Sequence, residues 1–167
     1  MTMTALKLPE QTMGMDPNTR VWIYQSSRPF TNEESIEIEM LLQSFAKSWT
    51  AHNQQLRAAG FLQFNRVIVL MVDETHTSAS GCSIDTSTHF IQSLEKKYGV
   101  ELFNRMLVYY QINDEWAQTN LTDLRDLVAQ SKVSQQTMVI NPLVQNKSAF
   151  DSGFITPAAE CWIADFL

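Results

Sequence analysis

Six apolar residues in unbroken succession, Val67-Ile68-Val69-Leu70-Met71-Val72, stand between Arg66 and Asp73. A half-exposed strand alternates polar and apolar positions, so this run predicts a strand buried on both faces, central in its sheet and covered by helices or another layer. Upstream, Val21-Trp22-Ile23-Tyr24 predicts a short strand ended by Ser26, Ser27 and Pro29. Thr31 or Asn32 then offers a helix N-cap, and Glu33 and Glu34 place negative charge in the first turn. Ile38, Leu41, Leu42, Phe45, Trp49, His52, Leu56 and Ala59 recur every three or four positions, which predicts one long helix stopped by Gly60.

Beyond the central run, a small polar loop from Thr75 to Gly81 leads to a helix expected from about Ser83 to Lys97 and stopped near Gly99. Met106 to Gln111 reads as a strand. After Asn113-Asp114-Glu115, the stripe Leu121, Leu124, Leu127 and Val128 reads as a short helix, and Met138-Val139-Ile140 as a last strand ended at Asn141-Pro142. Strands separated by helices favour crossovers or helix-covered mixed pairing over hairpins. The expected class is α/β or α+β, a compact mixed sheet covered by helices with strand-helix alternation. No repeat or low-complexity linker divides the chain, so 17–167 reads as one domain. Residues 1–16, with four of the eight methionines and little periodicity, read as a flexible leader, with an adaptable lid as the alternative.

The composition suits one packed domain: 44% of residues are apolar, including nine Phe and four Trp. A formal charge of -6 opposes the basic footprint of a nucleic-acid or anionic-membrane binder. No apolar run approaches a membrane span and no signal-peptide pattern opens the chain, so the expected location is the cytoplasm, without membrane insertion. Cys82 and Cys161 lie far apart in no CxxC or zinc spacing, which fits a reduced intracellular protein.

The segment VIVLMVDETHTSASGCSIDTSTHF holds the best candidate site, because a strand pattern ends in acids and passes through a small-residue loop into a helix start. Cys82 beside a helix N-terminus could be a thiol nucleophile, with His52, His76 or His89 as base and Asp85 orienting the site. Packing is the competing reading, since Ser83 is an ordinary N-cap and Asp85 in the first turn disfavours a second anion. Asp73 and Glu74 lie where open sheets place ligands, against the alternative of a solvated strand end. A metal set of Asp73, His76 and His89 can be drawn, but its spacing matches no zinc motif, and no metal is assigned.

His52 on the inward stripe could enter a pocket or be a satisfied core histidine. Arg28 could bind an acidic ligand or pair with a surface acid. The leading expectation is a small anionic ligand held where the Ser83 helix begins, with Arg28, Gly81, Ser83, His52 and the segment from Asp73 to Asp85 converging on it. A Cys82-dependent thiol enzyme is one alternative. The other is a protein-interaction module acting as a homodimer, with Trp116 the tryptophan most open to a partner and Trp22 and Trp49 in the core. No cofactor is identified.

WIYQSSRPF, the Trp49 to His52 region, VDE, SGCSIDTSTHF, LFNRM and Cys161-Trp162 together resemble a family of short uncharacterised proteins from Bacteroidetes and related bacteria. The resemblance covers about Val21 to Trp162, and members of the family often carry the label "ABC transporter ATPase". It implies a shared fold and carries over no reaction. A Walker A loop needs closely spaced glycines followed by GK[ST]. The glycines here are Gly14, Gly60, Gly81, Gly99 and Gly153, and no GK[ST] occurs. Neither a conventional P-loop nor a dinucleotide-binding fingerprint is present.

Overall fold

The apolar run forms β5 (Val67–Asp73), and every one of its residues is buried. The structure, a computed structural model, describes Leu6 and residues 8–167. β5 lies between β1 (Arg20–Gln25) and β4 (Arg57–Gln63), antiparallel to both. Ile68, Leu70 and Val72 face one core, where α1 (Asn32–Ser48) contributes Ile38 and Leu42 and α2 (Gly81–Tyr98) contributes Ile91 and Leu94. Val67, Val69 and Met71 face a second core with Leu107 and Tyr109 of β6 (Leu107–Ile112). Burial of each such side chain contributes roughly 1.5–3 kcal/mol, and a layer on either side is what removes alternation from the run.

The second sheet is also antiparallel, ordered β7-β6-β8-β9, with β7 at Glu115–Asn120, β8 at Met138–Ile140 and β9 at Ile155–Pro157. Val108, Tyr110 and Val139 turn to its outer face. There they meet Leu124 of α3 (Leu124–Ala129) and the C-terminal residues Ala158, Cys161 and Ile163. Phe150 of α4 (Lys147–Gly153) and neighbouring Phe154 close the second core. The molecule is therefore an α+β stack of helices, sheet, sheet, and helix with tail. Among the described residues, no helix is long and apolar enough to cross a membrane.

Three expectations change. The long helix ends at Ser48, because Trp49 turns extended (φ -73°, ψ 122°) and a hairpin follows. That hairpin pairs β2 (Thr50–Ala51) with β3 (Gln54–Gln55) around His52 and Asn53, both at positive φ (51° and 62°). A two-residue loop with both φ values positive matches strand twist and favours Asn, so this turn outcompetes further helix. Gly60 sits inside β4 rather than stopping a helix, and a Cβ there would stand 3.0 Å from the Leu42 carbonyl oxygen. Second, hairpins replace the expected crossovers: β4–β5 turns at Phe64-Asn65 and β6–β7 at Asn113-Asp114, again at positive φ.

Third, part of the expected leader is packed. Residues 1–5 and Lys7 lie outside the described residues. From Pro9 on, a 3-10 turn at Glu10–Thr12 leads to buried Thr12 and Met15, and Met15 joins the second core.

Candidate functional site

At the carboxyl end of β5, Asp73 is a buried tie point. Its Oδ1 accepts from Thr75 N–H (3.0 Å) and Thr75 Oγ1–H (2.5 Å), and its Oδ2 accepts from Asp16 N–H (3.1 Å) and Arg57 Nη1–H (3.2 Å). Burial raises this carboxyl, but the bonds from Thr75 and Asp16, with the Arg57 charge, hold it below the usual aspartate value. Glu74 accepts from Ala79 N–H (2.9 Å) and lies 3.7 Å from Arg20 Nε. Both acids thus fix the strap before β1 and the loop before α2.

The N-cap of α2 is Ser80 rather than Ser83. Ser83 N–H donates to Ser80 Oγ (3.1 Å) and Ser80 N–H donates to Ser83 Oγ (2.7 Å), a reciprocal capping box. Ser83 is buried, and its carbonyl accepts from Trp49 Nε1–H (2.8 Å). The Trp49 bond is what attaches the end of α1 to the start of α2. Gly81, exposed, is the first helical residue.

Cys82 is a free, exposed thiol, and Asp85 and His89 are exposed on the same helix. His89 lies seven residues along, about 10 Å of helix axis from Cys82, beyond the reach of a proton transfer to its thiol. His76 is exposed in the loop. His52 is exposed at the β2–β3 turn, not on an inward helix stripe. Its hairpin does reach the loop, since Thr77 Oγ1–H donates to Gln54 Oε1 (3.0 Å).

Arg28 does not join them. It donates to both oxygens of Glu34 (2.8 and 2.9 Å) and to the Tyr98 carbonyl (2.8 Å) at the far end of α2. Eighteen residues at about 1.5 Å each put that end about 27 Å from the capping box. The paired Arg28 and the Thr31 backbone lower the Glu34 carboxyl to about 2. Among the described residues, no group of three or more His, Cys, Asp or Glu could hold a metal ion. The second thiol, Cys161, is buried, and burial pushes its pKa up.

A cleft among the described residues lies elsewhere. It has a volume of about 590 Å³ and runs along β1, walled by Leu102 to Arg105 on one side and Pro142 to Gln145 on the other, with Trp162 beside them. Two large apolar side chains of these walls, Phe103 (42% exposed) and Leu143 (60% exposed), remain open to solvent. Val21 N–H donates to the Gln145 carbonyl (3.1 Å) and Lys147 N–H to the Thr19 carbonyl (2.9 Å), around a bridge between Arg20 and Asn146. Past that point the 141–145 segment diverges from β1, turned by Leu143 N–H donating to Asn141 Oδ1 (3.0 Å), and the cleft opens in the wedge.

Sequence reasoning singled out none of these walls as a site. Pro142 was the available signal: proline cannot donate to a ladder, so a strand cannot continue pairing through it. Comparison with protein-family models, curated proteins and solved structures finds no match for this chain.

Proposed function

We propose that this protein is a binding module whose site is the cleft along β1. The observation that carries this reading is the cleft itself: its volume of about 590 Å³ falls within the roughly 300–1,000 Å³ usual for ligand sites. Its lining is mainly apolar and aromatic, with few polar groups to orient a guest. The start of α2 has less to offer, because Ser80 and Ser83 satisfy each other and Arg28 is engaged at the other end of the helix. For thiol chemistry, Cys82 has no histidine within reach along its own helix.

The test is amide shift mapping of the 15N-labelled protein with two probes, a set of apolar carboxylate fragments and inorganic phosphate. Fragments should move the amides of Ile23, Phe103 and Leu143, and Leu143→Glu, at an exposed position, should abolish the effect without unfolding the chain. Phosphate moving the amides of Gly81 to Ser83 while the fragments leave the cleft unmoved would reverse the assignment.

A further inference from the structure

We infer that the occupant of this cleft is an extended peptide bearing an acidic side chain, added as a strand to the open edge of β1. The inference rests on the binding-module reading and names its partner. Backbone direction alternates along a strand. The outward bond from Val21 N–H to Gln145 fixes the phase: Val21, Ile23 and Gln25 turn their N–H and C=O groups away from β5, and Trp22 and Tyr24 turn theirs toward it. The bond from Ser26 N–H to the Arg66 carbonyl (2.8 Å), at the β5 side, agrees with that phase.

The outer edge is covered at both ends, by Gln145 at Val21 and by Glu101, whose carbonyl accepts from Ser27 N–H (2.9 Å). Between them the outward groups of Ile23 face the cleft. A strand edge of this kind is a template for main-chain pairing, and the Arg20–Asn146 bridge shows this edge accepting an antiparallel neighbour one step away. A helix, with its backbone bonds internal, would leave those groups unmet, and so would an apolar small molecule.

Charge selects among peptides. Arg105 is the one charged residue of the lining, it is exposed, and its side chain has no hydrogen-bond or ion-pair partner among the described residues. It lies on the 102–105 wall, just before Leu107 in the chain, and Gln25 Nε2–H donates to the Leu107 carbonyl (3.0 Å), which argues for the Gln25 end of the cleft. A mainly apolar lining whose one charge is an unpaired guanidinium complements a strand of alternating apolar side chains that carries one carboxylate at that end.

The experiment uses the full 15N-labelled chain and a library of N-acetylated, C-amidated nine-residue peptides with alternating Val, Ile, Leu or Phe and one Asp or Glu. The amidated ends leave the side chain as the carboxylate source. The best binder should slow amide exchange of Ile23 by at least about tenfold while Trp22 and Tyr24, already paired with β5, stay unchanged. N-methylation of alternate peptide residues should abolish binding in one register and spare it in the other. Arg105→Gln should weaken the acidic peptide about fivefold, and replacing the peptide acid with Lys should weaken it for the native chain.

Cleft amides that shift without this alternation, or fragments that bind where no library peptide does, would overturn strand addition and leave the binding-module reading standing. Peptides and fragments that both leave the cleft amides unmoved would overturn both.

Discussion

Asp73→Ala should cost about 2–4 kcal/mol at neutral pH, and the estimate follows from the four donors its carboxylate satisfies. The carboxylate side chain is 2% exposed, whereas Arg57 is 47% exposed, so their ion pair contributes at most about 1 kcal/mol. The larger loss is of the three part-buried hydrogen bonds from Asp16 and Thr75, about 0.5–1.5 kcal/mol each, since both residues are exposed and water can reach the donors left behind. Asp73→Asn should cost less. Its Oδ1 can still accept from Thr75, but its Nδ2 would face the Asp16 N–H and Arg57, donor against donor.

The two variants also differ in pH dependence. The folded Asp73 carboxyl is held below its unfolded value, so its stabilisation is fully present above about pH 4 and is lost as pH falls through the folded pKa. Native chain and Asp73→Asn should therefore differ most at pH 7 and converge in strong acid. Urea unfolding followed by tryptophan fluorescence at stepped pH measures this. Amide exchange at Met15 should accelerate in both variants, because the strap loses its anchor to β5. A change below about 0.5 kcal/mol at pH 7, or a native-to-Asn difference that does not shrink in acid, would refute the tie-point role.

Gly60→Ala should destabilise by about 1–2 kcal/mol, because its Cβ would meet the Leu42 carbonyl oxygen at 3.0 Å and Leu70 Cδ2 at 3.2 Å; a higher urea midpoint would mean α1 is not pressed against β4. Trp49→Phe should cost about 1–2 kcal/mol and speed amide exchange in the first turn of α2, by removing the bond to the Ser83 carbonyl; unchanged exchange there would sink the link. Arg28→Ala should return the Glu34 carboxyl from about 2 toward the ordinary glutamate range, read by carbon-detected titration, and should leave any phosphate response at Gly81 to Ser83 unaltered.

β5 was legible because a strand covered on both faces has one pattern, uninterrupted apolar residues, and few competing readings at that length. The end of α1 was not. Trp49, Leu56 and Ala59 keep a three-to-four spacing by coincidence: they reach the interior from the end of a helix, an approach to a strand and a strand. The discriminating signal was the polar run His52-Asn53-Gln54-Gln55, whose centre supplies a tight-turn pair and whose ends pair as β2 and β3. β7 escaped notice because it is an edge strand with every residue half-buried or exposed, so neither alternation nor an apolar run marks it. Without β7 and the β2–β3 hairpin, helical crossovers looked like the natural way to join the strands.

The candidate site was legible in the wrong currency. Asp73, Glu74, Ser83 and Arg28 attract attention as reactive types, yet each is spent on local structure: a strap, a loop, a cap and the junction of two helix ends. The cleft is built from groups a sequence does not flag. Its walls include apolar residues such as Phe103 and Leu143, whose type alone marks no site, and the groups proposed to orient a guest are the backbone amide and carbonyl of Ile23, which every non-proline residue carries. What makes them available is the absence of a neighbour, and that depends on where a distant segment goes. The 141–145 segment pairs with β1 at one bridge and then leaves, Asn141 turning it and Pro142 unable to donate. A bound strand would complete the row that this departure interrupts.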